Sequence, residues 1–292
     1  MNAIKRWMIL AAAIVGVGLL AAGCGQQRPS SQATATKPAE PEPGAVKGTV
    51  YALVPCGQVG PFSRVAKLFE AAHPGVTLDW EQENIVTMTK KVLDGKAKPD
   101  AFLSMGDLEM DQLQQAGLLV DGTREKIAEN GLAIVVPEKN PGGVNSMADL
   151  AKPTVKQIAL PDPANNAVGL HAKEAFQKAG IWPQIEKKIL LPRFAADSKE
   201  VATQGKVEAA IAYYPCSVEV HVKDAPPSLP KGLKLVGAIP SDLYPAFWCE
   251  GAVVKGAKNP EGGKALLALL KTPEVQNIYR QWEFVREPAK GK

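Results

Sequence analysis

The chain is 292 residues long, and its 34 basic and 30 acidic residues leave a formal net charge of +4. This near balance, with no basic tract, argues against nucleic acid as a partner. The hydrophobic fraction of 46% beside 22% charged residues is typical of a filled globular core, and the length allows one large or two medium domains.

The N-terminus has the pattern of an export signal. Lys5 and Arg6 precede an apolar run from Trp7 to Ala22, which at roughly 16 residues is shorter than the ~20 needed to cross a bilayer. The run ends in small residues, and Leu20-Ala21-Ala22-Gly23-Cys24 resembles a bacterial lipobox. We therefore predict a signal peptide over 1–23 and lipidation of Cys24, which would anchor an exported protein to a membrane, facing the periplasm or the cell exterior.

Residues 24–47 have the composition of a flexible linker. They are rich in Pro, Ser and Gln and poor in apolar residues that a fold would bury. We expect this segment to let the folded part range away from its lipid anchor.

Strands and helices alternate along the first part of the remaining chain. Runs of β-forming residues predict strands at 48–54, 76–80 and 101–104. Each is followed by a predicted helix, and Asp107 is placed to cap the third. The residues at helical spacing are Phe62, Val65, Leu68, Phe69 and Ala72 in the first helix and Ile85, Met88 and Val92 in the second.

A series of this kind favours a mostly parallel sheet covered by helices on both faces. In such sheets, ligands bind at the carboxyl ends of the strands, against helix N-termini. The three strand exits, at 55–57, 81–84 and 104–107, are therefore the first candidates for a binding site.

The second part of the chain repeats the alternation. Further strands are predicted at 132–137, 157–160, 208–214, 236–239 and 251–254, with a helix at 168–179 that Gly180 ends. Two amphipathic helices close the chain. We predict an α/β fold of two lobes.

The sequence resembles the periplasmic molybdate-binding proteins of ABC importers over roughly residues 48–286. The matching stretches are 95–107, 132–137, 160–175, 207–213 and 252–284. The resemblance implies a type II periplasmic-binding fold with mostly parallel sheets and a cleft between the lobes. Lobe 1 would comprise 48–131 and 239–292, and lobe 2 would comprise 132–238. It also implies a monomer that carries a small inorganic ligand to an ABC permease.

The resemblance further implies a set of ligand-binding positions. The family holds a tetrahedral oxyanion with two serines, backbone N–H groups and a tyrosine. Here the serine positions fall in Pro55-Cys56-Gly57 and in 83–87, neither of which contains serine, whereas Tyr213 keeps the tyrosine. The implied ligand-binding residues are Cys56, Gly57, Asn84, Ser104, Met105, Tyr213, Cys216 and Cys249.

The replacements bring sulfur to the predicted cleft. With Cys24 lipidated, three cysteines remain, and thiolates favour soft ions such as Cu(I), Zn(II) or As(III). Our hypothesis is a metal site formed by Cys56, Cys216 and Cys249, with His171 as a possible fourth ligand. The alternative is a molybdate-like or tungstate-like oxyanion held by backbone N–H groups, with the cysteines structural and Cys216 joined to Cys249 by a disulfide.

Catalysis is the competing class of function. Cys56 and His171 would be its nucleophile and base, but the chain has no C-x-x-C, G-x-S-x-G or H-E-x-x-H motif. We therefore predict a binding protein with no catalytic residue and no resident cofactor. Binding of its ligand should stabilise the native state of such a protein.

Overall fold

The computed structural model describes residues 46–218 and 229–285, which belong to one compact unit of residues 42–292. The predicted signal peptide, Cys24 and nearly all of the predicted linker lie outside the described residues. Within the described ranges, no helix is long and apolar enough to cross a membrane.

The described residues form ten strands and eight α-helices, which include every strand and helix predicted from the sequence. The strands are β1 Gly48–Pro55, β2 Val76–Glu83, β3 Ala101–Leu103, β4 Glu125–Glu129, β5 Leu132–Pro137, β6 Ile158–Ala159, β7 Ile189–Leu190, β8 Ala209–Tyr213, β9 Leu233–Ala238 and β10 Trp248–Ala252. The α-helices are α1 Val59–Ala72, α2 Ile85–Leu93, α3 Asp107–Gln115, α4 Ala167–Lys178, α5 Trp182–Ile185, α6 Ala195–Thr203, α7 Pro260–Leu270 and α8 Pro273–Gln281.

The strands form two five-stranded sheets. The first has the order β2-β1-β3-β10-β4 and the second the order β7-β6-β8-β5-β9. The chain passes from the first sheet to the second between β4 and β5, and it returns between β9 and β10. Residues 130–131 and 239–247 are the two crossing segments.

Both sheets are mixed, and each combines two parallel with two antiparallel strand pairs within the predicted α/β fold. In the first sheet β1 is parallel to β2 and β3, but β10 is antiparallel to β3 and β4. In the second, β6 is parallel to β7 and β8, but β5 is antiparallel to β8 and β9. Parallel neighbours need a crossover such as α1 or α2 supplies, whereas β10 enters the first sheet from the other sheet and pairs antiparallel on both sides.

The helices pack where the apolar spacing predicts. Phe62, Val65 and Phe69 of α1 are fully buried, as are Val50 and Val54 of β1. All five belong to one hydrophobic core. The period-3.6 stripe of α1 therefore covers a strand that is buried at five of its eight positions, as expected for the centre of an α/β sheet.

Candidate functional site

Strand exits from the two sheets meet at Gly57. A Cβ added to Gly57 would lie 2.9 Å from Met105 Sδ and 3.1 Å from Cys216 Sγ. Gly57 follows β1, Met105 follows β3 and Cys216 follows β8 of the second sheet. Three of the predicted ligand-binding residues are therefore in contact, and they join the first sheet to the second.

Cys249 is enclosed beside this contact, on β10. It is fully buried, and the Asn130 side-chain amide donates to its sulfur at 3.5 Å and to the Met105 carbonyl at 2.9 Å. Asn130 lies in the first crossing segment, and its backbone N–H donates to the Phe247 carbonyl in the second. The two crossing segments are thus tied to each other and to the exit of β3.

The three described cysteines are free thiols. Cys56 is exposed, Cys216 is half-buried and Cys249 is buried, so no disulfide joins Cys216 to Cys249. Burial raises the pKa of Cys216, and it raises that of Cys249 well above the ordinary value. Desolvation also raises the pKa of Cys56, against the opposing effects of backbone N–H groups and Lys199. All three sulfurs are therefore protonated and neutral at neutral pH.

The predicted trigonal metal site is not supported. In the part of the chain that the structure describes, no three His, Cys, Asp or Glu residues are arranged to hold a metal ion. Cys249 is enclosed by Asn130 and the Met105 carbonyl, and it is not free to share a ligand with the exposed Cys56. His171 is not a fourth ligand either, because carboxylates occupy both of its ring nitrogens.

Tyr213 ends β8 as a buried side chain. Its hydroxyl has no hydrogen-bond partner among the described residues. Burial, together with nearby Glu109 and the thiols of Cys216 and Cys249, raises the pKa of Tyr213 well above 10. The hydroxyl is thus a neutral donor inside the protein, placed at the position the resemblance implies.

Two other predicted ligand-binding residues have structural partners instead. The Asn84 side chain caps α2 by accepting from the Val86 N–H at 2.9 Å. The Ser104 hydroxyl is buried; it donates to the Gly106 carbonyl at 2.6 Å and accepts from the Glu250 N–H at 3.3 Å. These hydrogen bonds stabilise the conformation of the two strand exits. Direct contact of either side chain with a ligand remains a prediction.

The N-terminal ends of α3 and α4 form a second contact between the two halves. His171 of α4 lies 2.9 Å from Asp107 through Nε2 and 2.9 Å from Glu174 through Nδ1. Burial lowers the pKa of His171, but these two carboxylates outweigh it and raise the pKa. The cap of α3 is Gly106; Asp107, predicted to be the cap, is the first residue of the helix and engages His171 across the contact.

Glu109 is buried inside this contact. One of its carboxylate oxygens accepts from the Ala167 N–H at 3.4 Å, and the other has no partner among the described residues. Burial raises its pKa to about 7. The burial of Glu109 is not predictable from the sequence, because an acidic residue in a helix is ordinarily solvent-exposed and nothing local shows that α4 covers it.

A groove of about 440 Å³ opens beside these contacts, between α2 and the N-terminal ends of α4 and α6. Lys90, Lys96 and Arg193 line it together with Asn166, Asp162 and Asp94, and Asp94 forms ion pairs with Lys90 and Lys96. Asn166 caps α4 through its side-chain oxygen, whereas its amide nitrogen is buried with no partner in the described ranges. The N-terminal ends of α4 and α6 and the Arg193 side chain favour anions in this groove, whereas Asp94 and Asp162 oppose them.

Comparison with known proteins identifies the family. A model of the bacterial extracellular solute-binding proteins matches residues 52–285. The chain belongs to this family. As a solute-binding protein it also resembles the molybdate-binding protein ModA of Mycobacterium tuberculosis (strain ATCC 25618 / H37Rv), with 24% identity over 292 residues, 96% of this chain and 99% of the relative.

Two solved structures show the same fold. The periplasmic molybdate-binding protein of Azotobacter vinelandii has a TM-score of 0.64 at 14% identity and covers 82% of this chain and 100% of its own. The sulfate-binding protein SubI of Mycobacterium tuberculosis H37Rv has a TM-score of 0.65 at 17% identity. The match covers 83% of this chain and 88% of the SubI chain. These findings confirm the resemblance and the α/β periplasmic-binding fold predicted from the sequence.

Proposed function

We propose that this solute-binding protein captures a small tetrahedral oxyanion of the molybdate or tungstate class and delivers it to an ABC permease. The observation that carries the proposal is the buried Tyr213 hydroxyl, a neutral donor with no partner in the described chain. A buried donor without an acceptor is unfavourable by about 1–3 kcal/mol. A ligand oxygen that accepts from Tyr213 would remove this penalty.

The groups around Tyr213 support an anion. Gly57 lies in a short 3-10 helix, Cys56–Gln58, that leads into the N-terminus of α1, where backbone N–H groups favour negative charge. Cys56 and Cys216 are neutral thiols because burial raises their pKa values. Lys199 lies close enough to both sulfurs to oppose part of that rise. A cation beside neutral donors favours an oxyanion over a metal ion.

The same features weigh against the thiophilic ion that the cysteine count first favoured. Binding of Cu(I), Zn(II) or As(III) needs thiolates, but burial raises the pKa of Cys216 and Cys249. The relatives named for molybdate and sulfate point to oxyanions as well. The alternative interpretation of the sequence is therefore the better one, with Cys216 and Cys249 as thiols and not as a disulfide.

Closure of two lobes on the ligand is part of the proposal. We assign 48–131 and 239–292 to lobe 1 and 132–238 to lobe 2, which is supported by the strands each sheet contains. The anion would enter from the groove beside α2 and reach Tyr213 at the exit of β8. The protein would act as a monomer, held near its permease by lipid on Cys24.

The test is a thermal-shift screen of the reduced protein with molybdate, tungstate, sulfate, Cu(I), Zn(II) and arsenite. We expect stabilisation by an oxyanion, because a ligand that binds only the native state raises Tm. Stabilisation by a soft cation and by none of the oxyanions would overturn the proposal.

Tyr213→Phe gives the matched test of the site. Loss of one hydrogen bond to a charged ligand should weaken oxyanion binding about 10-fold to 100-fold, while Tm without ligand stays equal or rises because a buried unpaired hydroxyl is removed. Tyr214→Phe is the control, since Tyr214 packs in a separate cluster with Ala133 and Val218. Equal affinity in both variants would contradict the assignment of Tyr213.

A further inference from the structure

We propose that Cys56 and Cys216 form a reversible disulfide between the two sheets, and that this disulfide closes the cleft to ligand. Cys56 follows β1 of the first sheet, and Cys216 follows β8 of the second. The effect on ligand binding rests on the proposed function, whereas formation of the bond does not.

The backbone brings the two residues together. The Cβ that an alanine would add at Gly57, next to Cys56, lies 3.1 Å from Cys216 Sγ. Cys56 also lies close enough to Cys216 to contribute to the raised pKa of the Cys216 thiol. A disulfide needs Cα atoms about 4.4–6.8 Å apart. Cys56 begins the short 3-10 turn Cys56–Gln58, next to the residue that approaches Cys216.

Exposure and environment favour this pair over the Cys216–Cys249 pair that the sequence left as an alternative. Cys56 is exposed and Cys216 is half-buried, so solvent reaches both residues, whereas Cys249 is buried. The Cys249 sulfur is also engaged by the Asn130 amide. Lys199 favours the thiolate of Cys56 and of Cys216, because it lowers the pKa of both against the effect of burial.

The oxidant is a low-molecular-weight disulfide, represented by glutathione disulfide. The exposed Cys56, as thiolate, attacks one sulfur of glutathione disulfide, so the glutathione S–S bond breaks and one glutathione leaves. Cys216, after losing its proton, attacks the Cys56 sulfur of the mixed disulfide and releases the second glutathione. The two cysteines lose two electrons and two protons, and the two glutathione thiols gain them.

The bond would have a direct effect on the cleft. It would join the exit of β1 to the exit of β8, the strand that carries Tyr213 at its end. The two sheets could then no longer separate around the site. We expect the oxidised protein to have a higher Tm, since a disulfide that closes a long loop restricts the unfolded chain, and to lose its response to oxyanions.

The experiment uses the full chain with Cys24→Ser in every sample, so that Cys24 contributes no thiol. After treatment with glutathione disulfide, titratable thiols should fall from three to one. Peptide mass spectrometry should find Cys56 linked to Cys216. Cys249→Ser should still lose two thiols, whereas Cys56→Ser and Cys216→Ser should form no internal disulfide. An unchanged thiol count, or a peptide linking Cys216 to Cys249, would overturn the proposal.

A molybdate thermal shift on the same samples separates the two proposals. Loss of the shift on oxidation, with recovery after dithiothreitol, supports the proposed closure of the cleft. A persistent shift in the oxidised protein overturns it. If the disulfide forms but the reduced protein responds to no oxyanion, the proposed function fails and the disulfide stands. If the reduced protein responds and no disulfide forms, only the disulfide is refuted.

Discussion

Glu109 makes the stability of the protein depend on pH. Burial raises its pKa to about 7, so between the ordinary value of 4.5 and about 7 the folded state binds more protons than the unfolded state. The free energy of unfolding contributed by this group therefore falls as pH rises through that window, and above pH 7 the full loss is about 3 kcal/mol.

Glu109→Gln should remove this dependence, because an amide keeps the shape of the side chain and does not ionise. At pH 8 we expect the variant to be more stable than the wild type by up to about 3 kcal/mol, with the difference closing at pH 5. Urea unfolding at the two pH values measures it. Glu138→Gln, in an exposed turn after β5, is the control. Parallel pH profiles for wild type and Glu109→Gln would contradict the argument.

His171 acts in the same direction as Glu109. Its net pKa is raised by Asp107 and Glu174, so the stability it contributes is fully present below its ordinary pKa of 6.5 and is lost as pH rises through its raised value. Burial opposes ionisation of Asp107, but the hydrogen bond to His171, the charge of His171 and backbone N–H groups together lower the pKa of Asp107. The α3–α4 contact is therefore strongest under mildly acidic conditions.

Some residues of the candidate site can be predicted from the sequence and others cannot. Gly57, Met105 and Cys216 are predicted and do meet, because strand exits are visible as turns after apolar runs. Glu109, Asn130 and Lys199 are not predicted, since their roles depend on partners far along the chain. His171 was misinterpreted for the same reason, because its partner Asp107 lies 64 residues away.

At the scale of elements, the α3–α4 contact depends on the absence of a side chain at Gly106. A Cβ at Gly106 would lie 2.2 Å from the Ala167 Cβ at the start of α4. Real side chains do not approach so closely, so Gly106→Ala must push the two helix N-termini apart. The His171–Asp107 hydrogen bond, at 2.9 Å, spans the same contact and should lengthen.

We expect Gly106→Ala to lower the free energy of unfolding by about 1–3 kcal/mol, the usual effect of overpacking. Gly237→Ala in β9 is the control, since a Cβ there meets nothing within 4 Å, and a change within about 0.5 kcal/mol is expected. NMR titration should also show the pKa of His171 moving back toward 6.5 in Gly106→Ala alone. A raised pKa retained in that variant would show that the helices do not separate.

Elements differ in how well the sequence predicts them. β5 is found with its bounds unchanged, because its six residues are an apolar run between turns. β4 was not predicted: Glu125–Glu129 is charged at three of five positions, and its strand conformation comes from pairing with β10. α6 was also missed, since its apolar residues are mostly alanine and its position is set by packing on the second sheet.

At the scale of the whole molecule, the two crossing segments join the sheets next to the site. The Asn130 N–H donates to the Phe247 carbonyl, and its side chain reaches the Met105 carbonyl. Phe247 in turn stacks on His171, with ring centroids 4.5 Å apart. A movement of one sheet relative to the other therefore changes the surroundings of Met105, Cys249 and His171 together. We expect ligand binding at the proposed site to affect the α3–α4 contact for this reason.

The last prediction concerns Cys24, which lies outside the described residues. One acyl chain gives only marginal membrane binding, whereas two chains anchor a protein stably; a diacylglyceryl group on the Cys24 thiol supplies two. Cys24→Ala should therefore move the protein from the membrane fraction to the soluble fraction of lysed cells, while Ser30→Ala in the same segment should leave it on the membrane. The oxyanion thermal shift should be equal in both variants, because the groups proposed to bind the ligand all lie beyond residue 47. A membrane-bound Cys24→Ala protein would contradict lipid anchoring at this residue and point to retention of the apolar segment from Trp7 to Ala22.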